Sequence, residues 1–136
     1  MTIVLAFGSF DVIHPGHMFF LREAKKMGDK LVVVVAKDST IREIKSFEPK
    51  YKEHERLEHV RDIPYVDKAV LGYEGDKYKI VEEFNPDIIV LGYDQDSYSE
   101  KLPEELKKRK LKAQIQRLGS FKPHIYKSSI LKDKIY

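Results

Sequence analysis

The stretch IVLAFGSFDVIHPGH, residues 3–17, organises the rest of the chain. The apolar run from Ile3 to Phe7 predicts a buried strand, which ends at Gly8. From His17 onward, apolar residues recur at steps of three and four, as in a helix that packs one face on a core. The first turn of a helix carries free backbone N–H groups and the positive end of the helix dipole, and both attract anions. The stretch therefore predicts a strand, a glycine-bearing loop and a helix N-terminus able to hold a phosphate.

The remainder of the chain repeats this alternation of strand and helix. Strands are predicted at residues 3–7, 31–36, 69–71, 88–91 and 113–116, and helices at 17–27, 39–45, 52–61, 77–84 and 103–110. Such alternation is typical of an α/β protein with a doubly wound, parallel five-stranded sheet and helices on both faces. Gly28 is predicted to end the first helix as a left-handed C′ residue. We expect one domain over residues 1–136.

Composition excludes several classes of protein. The chain of 136 residues is 42% hydrophobic and 35% charged, as is usual for a globular domain, and it has no cysteine for disulfides, thiolate zinc sites or nucleophiles. It contains no apolar run of about 18 residues and no signal-peptide pattern, so we expect a cytoplasmic protein without a membrane partner. The net charge of +3 is modest, and the basic cluster 107–112 is typical of a solvated helix face. We therefore expect no nucleic-acid partner.

The segment from Gly8 to His17 resembles the GxFDxxHxGH signature of the cytidylyltransferase-like nucleotidyltransferases. All fixed positions match: Gly8, Phe10, Asp11, His14, Gly16 and His17. The resemblance implies a Rossmann-like HxGH fold and nucleotidyl transfer, in which a phosphate oxygen attacks the α-phosphorus of a nucleoside triphosphate and expels pyrophosphate. It implies that His14 and His17 are catalytic, because imidazole N–H groups can stabilise developing negative charge. It also implies a nucleotide site lined by Gly8, Ser9, Phe10, His14, Pro15, Gly16 and His17.

Two inner segments extend the implied site. The segment Glu-Arg-Leu-x-x-Val resembles a family stretch in which the arginine, here Arg56, contacts phosphate. From the residues alone, Arg56 could instead pair with Glu53 or Asp62. The segment Leu-Gly-Tyr-Asp follows the fourth predicted strand and resembles one that contacts the base or ribose, which implies nucleotide binding by Gly92 and Asp94.

The C-terminal segment resembles a family element that opens a last helix beneath the triphosphate. The resemblance implies that Lys127 is catalytic and that Tyr126, Ser128 and Ser129 bind the nucleotide. A divalent metal, Mg²⁺, is expected to be held mainly by substrate phosphates, since Mg²⁺ accepts few protein ligands. Asp11 is a candidate for an indirect contact with that metal.

The chain as a whole is similar to the short archaeal FAD synthases. The likeness covers GSFDVIHPGH, VDKAVLG, PDIIVLGYDQ and the terminal KSSI. It implies FAD biosynthesis, in which AMP passes from ATP to FMN, and it implies a homodimer. Two alternatives remain open at this point. One is a cytidylyltransferase acting on CTP and glycerol-3-phosphate or a related phosphosugar; the other is a nucleotide-binding module without turnover.

Overall fold

The computed structural model describes residues 1–13, 15–45, 48–91 and 100–117. The strands of this part of the chain are β1 Ile3–Gly8, β2 Lys30–Val35, β3 Lys68–Leu71, β4 Ile88–Leu91 and β5 Gln114–Arg117. The helices are α1 Pro15–Lys25, α2 Asp38–Lys45, α3 Glu53–Arg61, α4 Lys79–Phe84 and α5 Leu102–Lys108. Strands and helices come in the predicted order, including the two consecutive helices α2 and α3 between β2 and β3.

The strands form one parallel sheet in the order β3-β2-β1-β4-β5. The central strand β1 pairs with β2 along its whole length, from Ile3 opposite Lys30 to Gly8 opposite Val35. On its other side it pairs with β4, where Val4 lies opposite Ile88. The order of strand addition reverses between β1 and β4, so the loops that leave these two strands diverge. A crevice at such a switch point is the usual ligand site of a doubly wound sheet.

Alternate residues of the strands pack on opposite faces of the sheet. On β1, Val4 and Ala6 join a core with residues of α1 and α3, whereas Leu5 joins a second core with residues of α4 and α5. All three side chains are fully buried. A strand covered on both faces is apolar at every position, which explains the unbroken run that predicted β1. The doubly wound, Rossmann-like fold is thus confirmed.

Two local predictions need correction. Helix α1 begins at Pro15, two residues before the predicted start, because a proline in the first helical turn loses no hydrogen bond. Gly28 is not left-handed; Gly75 is the glycine with positive φ among the described residues. A Cβ on Gly28 would lie 2.7 Å from Val4 Cγ2 and 2.8 Å from the Thr2 carbonyl oxygen. Close packing at the N-terminal edge of the sheet therefore explains this glycine.

Within the described ranges, no helix combines the length and the apolar character needed to cross a lipid bilayer.

Candidate nucleotide-binding site

The signature loop, defined here as residues 9–13, leaves the C-terminal end of β1 at the crevice. Phe10 in this loop has a φ of 50°, in the left-handed region that bulky residues avoid. Its ring is only 2% exposed and belongs to the core beneath α1 and α3. A non-glycine residue in this region costs on the order of 1–3 kcal/mol, so the surrounding structure has to hold it. Burial of the ring is one such restraint.

Gly8 makes room for that ring. A Cβ at Gly8 would lie 2.6 Å from Phe10 Cε2 and 2.8 Å from Phe10 Cζ, closer than carbon atoms pack. On its other side the Phe10 ring meets the imidazole of His17, with ring centroids 5.2 Å apart and planes inclined by 58°. His17 lies in the first turns of α1, half-buried, with its Nδ1 atom inside the protein. Gly8 and Phe10 therefore determine where the His17 ring lies.

Asp11 joins the signature loop to the segment that precedes α3. Its carboxylate accepts hydrogen bonds from the backbone N–H of Lys50, at 2.7 Å, and of Tyr51, at 2.8 Å. The proposed indirect contact between Asp11 and a metal gains no support from this position, because both oxygens are engaged by the protein. Elsewhere in the described ranges, no three His, Asp or Glu side chains lie close enough together to hold a metal ion.

Arg56 has partners other than the predicted phosphate. Its side chain is fully buried, and its Nε atom donates to the Tyr51 carbonyl at 3.0 Å. Nη1 donates to the carbonyls of Ser9, at 2.8 Å, and Ala36, at 2.6 Å. Nη2 donates to Asp38 Oδ1 at 2.7 Å. The guanidinium has no exposed surface and has protein acceptors on all three nitrogens, so these contacts give Arg56 an internal role and lend no support to the predicted phosphate contact. Neither Glu53 nor Asp62 is its ion-pair partner.

Asp38 supplies the charge that balances Arg56. The Asp38 side chain is 15% exposed. Partial burial would raise the pKa of its carboxyl, but hydrogen bonds from the Arg56 guanidinium and from the Glu53 backbone, together with the charge of Arg56, hold that pKa below its ordinary value. The carboxylate is therefore ionised at neutral pH and the pair is a true ion pair. This pairing between Asp38 and Arg56 was not predicted from the sequence.

Part of the predicted site is assembled within the described residues. Gly8, Ser9, Phe10, Gly16 and His17 lie together where β1 passes into α1, and Pro15 begins that helix. Strand β4 ends at Leu91 beside β1. The remaining predicted site residues lie outside the described part of the chain: His14, Gly92, Asp94, Tyr126, Lys127, Ser128 and Ser129.

Comparison with known proteins decides the family. The model of the family described as cytidylyltransferase-like matches residues 5–134. The chain belongs to this family. The match includes the crevice between β1 and β4, the signature loop and the C-terminal segment, so the likeness noted for the signature extends over nearly the whole chain.

Several curated proteins are similar to this chain over most of its length. A FAD synthase of Aciduliprofundum boonei is 50% identical over 121 residues, which are 89% of this chain and 80% of the relative. A FAD synthase of Thermoplasma volcanium is 42% identical over 135 residues, 99% of this chain and 94% of the relative. A FAD synthase of Archaeoglobus fulgidus is 47% identical over 114 residues, 84% of this chain and 82% of the relative.

Solved structures agree with the fold. The lipopolysaccharide core biosynthesis protein from Thermoplasma volcanium superposes with a TM-score of 0.84 and 44% identity, covering 89% of this chain and 98% of that one. The pantoate-beta-alanine ligase from Francisella tularensis superposes with a TM-score of 0.66 and 12% identity, covering 89% of this chain and 60% of that one. The second likeness shows the shared fold alone.

Proposed function

We propose that this nucleotidyltransferase is an FAD synthase, which transfers AMP from ATP to FMN. The observation that carries the proposal is the 42% identity to a FAD synthase over 99% of this chain and 94% of that relative. A match that spans both the signature and the C-terminal segment favours the same pair of substrates, beyond the shared phosphate chemistry.

The reaction forms one phosphorus–oxygen bond and breaks another. A phosphate oxygen of FMN attacks the α-phosphorus of ATP, and the bond between that phosphorus and the oxygen bridging to the β-phosphorus breaks. FAD and pyrophosphate are the products. Positioning and neutralisation of charge supply most of the catalysis in phosphoryl transfer. In the proposal, both are supplied at the mouth of the crevice, where α1 begins beside the end of β1.

The chain's own residues divide these tasks. The backbone N–H groups of the first turn of α1 are donors for triphosphate oxygens, and the helix dipole adds positive potential there. In the proposal, His14 and His17 donate to the oxygens on which charge develops during transfer. Lys127, Tyr126, Ser128 and Ser129 hold the triphosphate from the C-terminal side, and Gly92 and Asp94 contact the base or ribose.

In the proposal, a divalent metal belongs to the substrate complex with ATP. The described residues provide no cluster of carboxylates or imidazoles for it, and the Asp11 oxygens already accept two backbone N–H groups. Mg²⁺ binds readily through substrate phosphates while keeping several of its waters. We therefore assign Mg²⁺ to the triphosphate and no protein ligand to it.

The decisive experiment supplies matched pairs of substrates to the purified protein with Mg²⁺. FMN with ATP should yield FAD, separated by chromatography, and pyrophosphate in equal amount. CTP in place of ATP should react at least about a hundredfold more slowly, because a site that hydrogen-bonds one base leaves polar groups unpaired with another. His17→Ala is the matched control, and loss of its FAD formation excludes a contaminating enzyme.

Two other outcomes would replace the proposal. Formation of CDP-glycerol from CTP and glycerol-3-phosphate, with no FAD, would establish the cytidylyltransferase alternative. Binding of ATP without pyrophosphate release for any acceptor would establish the nucleotide-binding module.

The homodimer, the cytoplasmic location and the single domain over residues 1–136 stay predictions within this proposal. Light scattering after size-exclusion chromatography measures the oligomeric state, and cell fractionation measures the location.

A further inference from the structure

Arg56 is the centre of a buried network that joins four separate segments. Its hydrogen bonds reach Ser9 after β1, Ala36 after β2, Asp38 at the start of α2 and Tyr51 before α3. These segments all lie at the C-terminal edge of the sheet, where the crevice opens. We call Arg56, Asp38 and Asp11, with their backbone partners, the loop clamp.

The clamp forms a closed circuit around the signature loop. Arg56 Nη1 binds the Ser9 carbonyl at 2.8 Å, and Arg56 Nε binds the Tyr51 carbonyl at 3.0 Å. The Tyr51 N–H in turn binds Asp11 Oδ1 at 2.8 Å. The two ends of the segment from Ser9 to Asp11 are thus both held against residue 51. Between them lies Phe10, the loop residue with the left-handed φ of 50°.

This circuit connects Arg56 to the site through a chain of direct contacts. Ser9 precedes Phe10, and the Phe10 ring packs on the His17 imidazole at 5.2 Å. Because a guanidinium is planar and presents donors in a fixed fork, small changes in its position are transmitted to every acceptor it binds. A buried ion pair adds little stability compared with apolar side chains of the same volume, but it can fix a geometry.

We propose that Arg56 is a positioning residue for the transfer reaction, acting through the Ser9 carbonyl and Phe10 to set the position of His17 and of the signature loop. The proposal rests on the proposed nucleotidyl transfer for its kinetic readout. In this proposal Arg56 touches no substrate. The proposal gives Arg56 an indirect role in place of the direct phosphate contact that the family resemblance implies.

The first test is Arg56→Lys, which keeps the charge and the approximate length of the side chain. A single ammonium cannot bind acceptors on all sides of the guanidinium plane, so the signature loop should lose a restraint. We expect kcat for FAD formation to fall about a hundredfold, the effect typical of a displacement near 1 Å, while the ATP dissociation constant changes less than about tenfold. Asp38→Asn, which removes the countercharge and leaves Arg56 in place, is the second variant if Arg56→Lys does not fold.

Val60→Ala is the matched control for lost stability. Val60 lies one turn beyond Arg56 on α3, is fully buried and belongs to the core that contains Phe10, but it is not part of the clamp. This variant should lower the melting temperature and leave kcat within about threefold of the parent. A variant of the clamp that loses no more stability than Val60→Ala, yet loses far more kcat, separates positioning from folding.

A double-mutant cycle with His17→Ala tests the route of action. Residues that act as one unit are not additive, so Arg56→Lys should cost little further kcat in a protein that already carries His17→Ala. If the losses of kcat in the two single variants multiply in the double variant, Arg56 and His17 act independently and the proposal is wrong. The proposal is also wrong if Arg56→Lys keeps a kcat within threefold of the parent, or if it loses ATP affinity tenfold or more at unchanged kcat.

A readout without turnover keeps the inference separate from the proposed function. Hydrogen–deuterium exchange should become faster in segments 9–13 and 48–52 of Arg56→Lys, or of Asp38→Asn in its place, but not in those segments of Val60→Ala. If exchange is faster in the clamp variant but the parent protein makes no FAD, the FAD synthase assignment is wrong and the loop clamp stands. Unchanged exchange in both segments would overturn the loop clamp whatever the activity.

Discussion

Gly8→Ala is the substitution for which the structure gives the clearest expected cost. The new Cβ would lie 2.6 Å from Phe10 Cε2, so the ring has to retreat by roughly 0.9 Å to reach an ordinary carbon–carbon separation. Phe10 is 2% exposed and its backbone is already in the left-handed region, so the ring has little freedom to turn away. Overpacking of this kind costs about 1–3 kcal/mol of unfolding free energy.

The same displacement should reach the reaction. Phe10 packs on His17, so a shift of the ring by nearly 1 Å moves the imidazole or opens a gap beside it. Misplacement by about 1 Å can lower turnover about a hundredfold. We therefore expect Gly8→Ala to lose both about 3–10 °C of melting temperature and about two orders of magnitude in kcat.

Gly28→Ala is the control, because it introduces a similar clash far from the crevice. Its Cβ would meet Val4 Cγ2 at 2.7 Å and the Thr2 carbonyl at 2.8 Å, at the opposite edge of the sheet. It should lower the melting temperature by a comparable amount and leave kcat within about threefold of the parent. Thermal unfolding followed by circular dichroism, with FAD formation measured well below both melting temperatures, compares the two. Equal kcat values for Gly8→Ala and Gly28→Ala would refute the link from Gly8 through Phe10 to His17.

Three further predictions concern ionisable side chains. His14→Ala or His17→Ala should each lower kcat by roughly 10²–10³ with smaller changes in KM, and turnover within about threefold of the parent would remove that histidine from catalysis. Lys127→Ala should weaken ATP binding roughly ten- to a hundredfold without a similar loss of FMN affinity, and an unchanged ATP dissociation constant measured by calorimetry would place Lys127 away from the triphosphate. The pKa of Asp38 is lower in the folded protein than in the unfolded chain, so its stabilising effect is present above about pH 4 and is lost as the pH falls through the folded value. Urea unfolding of Asp38→Asn should accordingly show a weaker dependence on pH below pH 4 than the parent, and an identical dependence would contradict the ion pair with Arg56.

Much of the fold was predictable because strands buried on both faces have a distinctive sequence. Residues 31–35 are apolar at every position and become β2, and the predicted strand 88–91 matches β4 residue for residue. The edge strand β5 is harder: Gln114–Arg117 has one half-buried residue, Ile115, and its bounds fall one residue later than predicted. An edge strand with polar side chains carries little apolar signal.

The role of Arg56 could not be predicted from the sequence because its acceptors are backbone carbonyls. The carbonyls of Ser9 and Ala36 are 47 and 20 residues away, and any residue type supplies one. One local signal existed: Arg56 precedes the buried Val60 by four residues and therefore lies on the same face of α3. A charged side chain on an apolar helix face is a reason to look for a buried partner, and Asp38 is that partner.

The central position of β1 affects how this protein folds. The Ile3 N–H binds the Asp87 carboxylate at 2.8 Å, a contact between residues 84 positions apart in the chain. Closing a loop of that length carries an entropic cost that local helix formation avoids, and folding slows as contacts become more distant in sequence. Synthesis from the N-terminus also releases residues 3–17 long before β4 is available. While Leu91 is still inside the ribosome, β4 is missing and the signature loop of the nascent chain has only one wall of the crevice beside it. Triphosphate binding should therefore begin only after β4 has paired with β1.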